Sequence, residues 1–135
     1  MRSGFGNVFH GRTGKSRSFS ASVTHAVRGV IIGLWSEANV RRQSIVLLVV
    51  LGLVWWLRVG VTETVIVLLA AGAVLSLEMM NSAMEALADA VHPDYGELVQ
   101  KAKDMMAGAV LIVSLVALVI GIVVFVPHLL QQLNF

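Results

Sequence analysis

The stretch from Thr64 to Ala90, TVIVLLAAGAVLSLEMMNSAMEALADA, decides the fold because it joins an apolar run to a set of polar residues. Its first half carries no charge, and its second half carries three carboxylates and a carboxamide: Glu78, Asn81, Glu85 and Asp89. On a helix that advances about 100° per residue, these four residues, the acidic stripe, share one narrow face. Ionisable groups at membrane depth persist mainly where they face protein or a water-filled cavity and bind something. The stripe is therefore a predicted functional site.

Composition predicts an integral membrane protein. Of the 135 residues, 57% are hydrophobic, and the mean hydropathy is +0.83. A soluble domain of this size could hardly carry so much apolar surface. The absence of cysteine excludes a disulfide framework, a thiol nucleophile and cysteine-rich zinc sites. The net charge of +2 is too small to predict a nucleic-acid partner.

The N-terminal region predicts two elements that precede the membrane spans. Residues 1–17 are rich in Gly, Ser and Arg, which predicts a flexible cytoplasmic arm rather than a cleavable signal peptide. Residues 18–35 carry apolar side chains at helical spacing. This pattern predicts an amphipathic helix that lies on the membrane surface.

Three apolar segments predict three transmembrane helices, which form one membrane domain with the surface helix over residues 18–130. Each segment is long enough to cross a hydrocarbon core of about 30 Å, and the expected spans are about 44–61, 64–91 and 105–126. A polar hinge of residues 37–42 precedes the first span. The Pro-Gly region after Val91 separates the last two spans, and Pro127 closes the third. Residues 131–135 remain as a tail.

The basic residues predict the orientation of these spans. All lysines and arginines except Arg58 fall on one side of a three-span topology. The positive-inside rule then places the N-terminus and the loop of residues 92–104 in the cytoplasm. The outer end of the acidic stripe faces the same side, where nucleotides are available.

Two carboxylates from different helices predict a magnesium site. Glu37 stands at the same cytoplasmic boundary as Glu85, one helix earlier in the chain. Magnesium takes one or two protein carboxylates and completes its octahedron with water and substrate phosphate. If the helices bring Glu37 and Glu85 together, the two carboxylates would form such a magnesium site.

Lys103 and Asp104 stand at the entrance of the third span, near Lys101. One interpretation is a basic cluster that only sets topology. The other is that a lysine near the carboxylates supplies the positive charge that a polyphosphate needs. The lysine predicts a binding site only in combination with the acidic stripe.

Three further interpretations of the stripe stay open at this level. Its carboxylates could pair with basic residues of neighbouring helices and serve structure alone. The chain could be a small proton-coupled transporter or channel, in which Glu78 exchanges protons within the membrane. It could also be an inactive scaffold that keeps only the oligomer.

The polar motifs resemble those of the prokaryotic diacylglycerol kinase family, whose other large branch comprises undecaprenol kinases. The resemblance covers roughly residues 18–127. Its central motif is Glu78-x-x-Asn81-Ser82-Ala-x-Glu85-Ala-x-x-Asp89. The other matching motifs are Asp94-Tyr95-x-Glu97-Leu98, Lys101-Ala-Lys103-Asp104-Met105, Glu37-Ala38-Asn39-x-Arg41 and Trp56-Leu57-x-Val59.

This resemblance implies an all-α homotrimer of three-span subunits that transfers the γ-phosphate of MgATP to the hydroxyl of a membrane lipid. It implies Glu78 as the general base, and Glu37 and Glu85 as magnesium ligands. The implied ATP contacts are Lys103, Asp104, Asp94, Tyr95 and Gly96. The implied supporting or substrate-binding residues are Asn81, Asp89, Arg41, Trp56 and Glu97.

The lipid acceptor is left open between diacylglycerol and undecaprenol. The Asn81-Ser82-Ala and Lys103-Asp104-Met105 motifs resemble diacylglycerol kinases. The Asn39-Val40-Arg41 motif and the Phe125-Val126-Pro127 ending resemble undecaprenol kinases. The apolar tail of either lipid can be bound by surfaces that many sequences supply, so the sequence predicts a lipid kinase without fixing its acceptor.

Overall fold

The computed structural model describes residues 19–91 and 96–133, and these ranges are helical apart from short connections. The four helices are α1 (Phe19–Ser36), α2 (Ala38–Trp56), α3 (Val61–Val91) and α4 (Glu97–Leu133). The last three are each long and apolar enough to cross a membrane. The predictions of an all-α fold and of three apolar helices of spanning length are confirmed. The predicted arm of residues 1–17 lies outside the described ranges.

Helix α1 buries none of its residues. The chain divides into two compact units after Ile31, so the first part of α1 stands by itself and its last turn belongs with the other helices. The apolar side chains of α1, among them Val23, Val27 and Ile31, are exposed. Its role as an amphipathic helix on the membrane surface stays a prediction.

The connection between α1 and α2 is one residue long, shorter than the predicted hinge of residues 37–42. Glu37 alone is extended, with φ −103° and ψ 116°. Asn39 and Arg42 lie inside the first turns of α2, where Arg42 Nη1 donates a hydrogen bond to Asn39 Oδ1 at 2.8 Å. Polar side chains three residues apart support one another on a helix, so α2 begins at Ala38, earlier than the expected position 44.

A tight turn of residues 57–60 joins α2 to α3. Val59 N–H donates to Val54 O at 3.2 Å, and Arg58 N–H donates to Trp55 O at 3.4 Å. These two bonds form a Schellman motif, which ends a helix with one residue in the left-handed conformation. Here that residue is Arg58, with φ 52°.

Helices α3 and α4 run antiparallel along their whole length. Lys103 Nζ lies 2.8 Å from Asp89 Oδ1 at one end, which we call the polar end. His128 Nε2 lies 3.5 Å from Glu63 Oε2 at the other, the turn end. Nearly equal numbers of residues separate the two contacts on each helix, so the helices keep a constant register. A hydrophobic cluster at the turn end, formed by Leu57, Val67, Val124 and Phe125, joins α2, α3 and α4.

Helix α4 is longer than the predicted third span at both ends. It begins at Glu97 because the polar segment before Met105 is itself helical, and Gln100 Nε2 donates to Asp104 Oδ1 at 2.9 Å. It continues through Pro127 to Leu133 instead of ending there. A proline removes one N–H donor, and apolar helices tolerate this where nearby groups satisfy the backbone. The next residue, His128, has its ring Nδ1 2.8 Å from Val124 O.

Candidate active site

Glu78 and Asn81 are the two buried polar side chains among the residues that the structure describes. Their exposed fractions are 5% and 6%. They lie one turn apart on α3, and Val74, one turn before Glu78, is also buried. The deep end of the acidic stripe therefore faces protein, as expected for ionisable groups within an apolar helix.

Burial falls along the stripe towards the polar end. Glu78 and Asn81 are buried, Glu85 is half-buried, and Asp89 is exposed. At a rise of about 1.5 Å per residue, this change takes place over roughly 16 Å of α3. The stripe thus leads from an enclosed carboxylate to one that meets water, and two substrates of opposite polarity could approach its two ends.

Asn81 is held by Glu85 and has one unused acceptor. Asn81 Nδ2 donates to Glu85 Oε1 at 2.9 Å. Asn81 Oδ1 is buried and has no hydrogen-bond partner. An unsatisfied buried acceptor costs about 1–3 kcal/mol, so its retention favours a donor supplied from outside the described residues. A ligand hydroxyl, a water or a cation would satisfy this oxygen.

Lys103 joins the outer end of the stripe to α4 through its 2.8 Å contact with Asp89. Its side chain is only 17% exposed. The sequence predicted both residues for the site without predicting that they pair. The signal was present, because Asp89 and Lys103 flank the connection between two long helices, and an antiparallel hairpin brings such positions together.

The first turns of α4 contain the other predicted nucleotide residues that the structure describes. Gly96 precedes the helix, and its carbonyl accepts the N–H groups of Val99 and Gln100 at 3.0 and 3.1 Å. An open cleft of about 620 Å³ lies on α4, lined by Glu97, Gln100, Lys101, Asp104 and Met105. Lys103 is on the Asp89 side of the helix rather than in this cleft. Asp94 and Tyr95 lie outside the described residues.

Glu37 caps the start of α2 at the level of Glu78. A Cβ atom at Gly33 would lie 3.5 Å from Val40 Cγ1 and 3.6 Å from Met79 Cε, so the end of α1, the start of α2 and α3 meet here. Met79 is the neighbour of Glu78 in the chain. This packing places the α1–α2 link near the buried end of the acidic stripe. Among the described contacts, none joins Glu37 to Glu85.

The donor set at this end of α3 fits magnesium. The described residues contain no cluster of three or more side chains that could hold a metal. Magnesium needs fewer, since water and phosphate oxygens complete its shell. Glu37 and Glu85 are both half-buried and offer carboxylate oxygens, the hard ligands that this ion prefers.

Two predicted supporting residues lie at the two ends of α2. Arg41 is in its first turn, where its Nη1 donates to the carbonyl of Trp35 at 2.8 Å. Trp56 is the last residue of α2, beside the turn end, and is exposed. It is separated from Glu78 by roughly 25 Å along α3, so the structure does not bring Trp56 to the stripe.

Comparison with known proteins agrees with this arrangement. The family described as prokaryotic diacylglycerol kinase matches residues 24–125. The chain is 31% identical over 111 residues to an undecaprenol kinase of Bacillus subtilis, which covers 82% of this chain and 90% of that protein. It is 30% identical over 116 residues to the diacylglycerol kinase of Escherichia coli K12, which covers 86% of this chain and 94% of that protein. The chain therefore belongs to the prokaryotic diacylglycerol kinase family, a family of lipid kinases.

Proposed function

We propose that this protein is an ATP- and magnesium-dependent kinase that transfers the γ-phosphate of ATP to the hydroxyl of a membrane lipid alcohol. The observation that carries the proposal is the course of the acidic stripe, from the buried Glu78 to the Asp89–Lys103 pair at the helix end. A lipid hydroxyl and a nucleotide are immiscible substrates. They can meet only where an enclosed apolar site opens to water.

Glu78 acts as the general base. The carboxylate accepts the proton of the lipid hydroxyl while the hydroxyl oxygen attacks the γ-phosphorus and ADP leaves. Phosphoryl transfer asks a protein mainly for positioning and charge neutralisation, so no covalent nucleophile is needed. The low exposure of Glu78 supports this role because it keeps competing water away from the attacking oxygen.

Asn81 orients the acceptor beside Glu78. Its amide nitrogen is engaged by Glu85, which fixes the plane of the carboxamide. The unpartnered Oδ1 would then accept a hydrogen bond from the lipid headgroup.

Glu37 and Glu85 hold magnesium. When bound, the ion would neutralise the negative charge that develops on the phosphates during transfer. Glu85 would be placed for this by Asn81, which occupies Oε1 of its carboxylate. Glu37 would be placed by the one-residue link between α1 and α2.

The nucleotide binds at the polar end, where Lys103 contributes its positive charge to the phosphates. The polar side chains of the first turns of α4 support this assignment, because Glu97, Lys101 and Asp104 lie at the same helix end. The Asp94-Tyr95-Gly96 turn completes the nucleotide site. Asp89 keeps the Lys103 ammonium group at the outer end of the stripe until phosphate is present.

The active enzyme is a homotrimer whose sites form at subunit boundaries. The unpartnered Asn81 Oδ1 supports this proposal, because a donor from a neighbouring subunit could satisfy this buried acceptor. Mixing Glu78→Gln subunits with Lys103→Gln subunits tests it. At ATP concentrations far below the KM of the Lys103→Gln protein, activity above the sum of the two separate variants requires sites that span two subunits. Sites within one subunit would give no more than that sum.

The enzyme lies in the cytoplasmic membrane of a prokaryote, with its N-terminus and active site facing the cytoplasm. In the three-span topology, Arg58 is in the turn on one side of the membrane. The basic residues on the other side include Arg28, Arg41, Arg42, Lys101 and Lys103. The chain has no cysteine, so a single Gly60→Cys substitution gives a unique label site in that turn. A membrane-impermeant thiol reagent should label it in intact cells.

The acceptor is diacylglycerol or undecaprenol, since the two relatives above bear these names at nearly equal identity. The deciding experiment gives purified protein in lipid or detergent radiolabelled ATP, magnesium and either alcohol. Transfer of label to at least one lipid is expected, and the ratio of the two kcat/KM values identifies the acceptor. Solute transport without phosphorylation of either lipid would contradict the proposal and favour the transporter.

A further inference from the structure

Glu37 is the single non-helical residue between α1 and α2. Helix α1 ends at Ser36 and α2 begins at Ala38. With a link this short, the direction of the Glu37 side chain is set by how the two helix ends are joined. Any residue that fixes the junction also fixes the Glu37 carboxylate.

Both backbone groups of Glu37 are already engaged. Its N–H donates to Gly33 O at 3.0 Å and closes α1, and its carbonyl accepts Arg41 N–H at 3.2 Å and opens α2. The last carbonyls of α1 have no partners of their own within the helix. Arg41 Nη1 reaches back over six residues and donates to one of them, Trp35 O, at 2.8 Å.

The guanidinium of Arg41 therefore closes the junction from the outside. A hydrogen bond from a charged donor is about twice as strong as a neutral one. A cation at a helix C-terminus also interacts favourably with the helix dipole. Arg41 thus holds the last turn of α1 to the first turn of α2 at Glu37.

The junction is also packed against α3 at the start of the acidic stripe. Val40, next to Arg41, is 1% exposed, and its side chain approaches the position of Gly33. Met79 approaches the same position from α3. A change in the junction angle would therefore move Glu37 relative to the neighbour of Glu78.

Arg42 provides a matched comparison within the same turn. It is exposed, as Arg41 is, and donates to Asn39 Oδ1 within α2. This contact does not reach α1. The two arginines carry the same charge at the same depth and differ in whether they bridge the link.

We propose that Arg41 is a positioning residue, which clamps the α1–α2 link so that Glu37 is held ready for a divalent cation. This inference rests on the proposed function, in which Glu37 binds magnesium. It assigns Arg41 to the link rather than to direct contact with either substrate.

The test combines a label at the junction with metal binding. Because the chain has no cysteine, Ala38→Cys, at an exposed position, accepts a single spin label. The Arg41→Gln variant should increase the mobility of this label in electron paramagnetic resonance spectra, and Arg42→Gln should not. Titration with Mn²⁺, in the presence of ATP, should show about tenfold weaker binding to the Arg41→Gln protein, as loss of a charged hydrogen bond implies. Arg41→Lys, which keeps the charge, should show smaller changes in both label mobility and Mn²⁺ affinity.

Kinetics separate this inference from the proposed function. Arg41→Gln should raise the magnesium concentration for half-maximal lipid phosphorylation about tenfold, with KM for ATP measured at saturating magnesium unchanged. Unchanged label mobility, unchanged Mn²⁺ affinity, or a rise in KM for ATP alone would overturn the positioning role even in an active enzyme. If the wild-type protein phosphorylates no lipid, but Arg41→Gln still changes the label mobility and the Mn²⁺ affinity, the proposed function is refuted and the positioning role of Arg41 is retained.

Discussion

Lys103 Nζ lies 2.8 Å from Asp89 Oδ1, which ties the start of α4 to the outer end of the acidic stripe on α3. The Asp89 side chain is 57% exposed, so water and salt screen the pair. Ion pairs of this kind contribute at most about 1 kcal/mol to stability. The main consequence of the pair is therefore the position of the lysine, whose ammonium group is held at the stripe.

The separate roles of these two residues can be tested by comparing Lys103→Gln with Asp89→Asn. Loss of the positive charge should raise KM for ATP about 10- to 100-fold, since charged hydrogen bonds to phosphate contribute about 1.5–3 kcal/mol. Loss of the anchoring carboxylate should raise it less than about fivefold. Initial rates at varied ATP give both values. An equal or larger effect of Asp89→Asn would mean that Lys103 serves the helix contact rather than the nucleotide.

The sequence predicted the burial of Glu78 better than the contacts of the stripe. Helical periodicity and the uncharged run before Glu78 predicted that it lies deepest in the stripe. Both are local properties of the sequence. The Asp89–Lys103 pair depends on the register between α3 and α4, which is set by packing along their whole length. The hydrogen bond from Asn81 to Glu85 is different, because these residues are four positions apart on α3 and helical spacing alone could have predicted their contact.

The ends of the helices were the least predictable part of the fold. Asn39 and Arg42 are polar residues of the kind that often form a loop, yet they stabilise one another inside α2. Pro127 ends a helix in most soluble proteins, but α4 continues past it. In both places the helix end depends on the particular neighbours of each residue, which composition alone does not describe.

Glu78→Gln should abolish turnover while the protein still binds ATP. Glutamine has nearly the same shape as glutamate but cannot take the hydroxyl proton, so kcat should fall about 10²- to 10⁴-fold. Glu63→Gln is the matched control, because it changes a carboxylate of the same helix at the turn end and should leave kcat near the wild-type value. Kinetics and equilibrium ATP binding measure the two effects. Wild-type kcat in Glu78→Gln would remove the residue from its role as base.

Glu85→Gln should raise the magnesium concentration for half-maximal activity about tenfold or more. The amide keeps an oxygen that can accept Asn81 Nδ2, so the variant removes the charge and preserves the hydrogen bond. Glu85→Ala removes both, and should also lower the free energy of unfolding by about 1 kcal/mol. Activity at varied magnesium concentration measures the loss of the charge, and thermal unfolding measures the loss of the hydrogen bond. If the metal titration of Glu85→Gln is unchanged, Glu85 serves only to hold Asn81.

Arg58→Gly should stabilise the protein, because Arg58 occupies the left-handed position of the Schellman motif that ends α2. That conformation costs residues other than glycine about 1–2 kcal/mol, and the greater chain entropy of glycine offsets part of the gain. We expect a net increase of about 0.5–1 kcal/mol in the free energy of unfolding, measured by thermal or denaturant unfolding in detergent. Arg58→Ala is the control, since it removes the same charge but keeps a Cβ atom in the strained conformation. Equal stabilisation by alanine would mean that the charge at the turn, rather than the backbone of Arg58, limits stability.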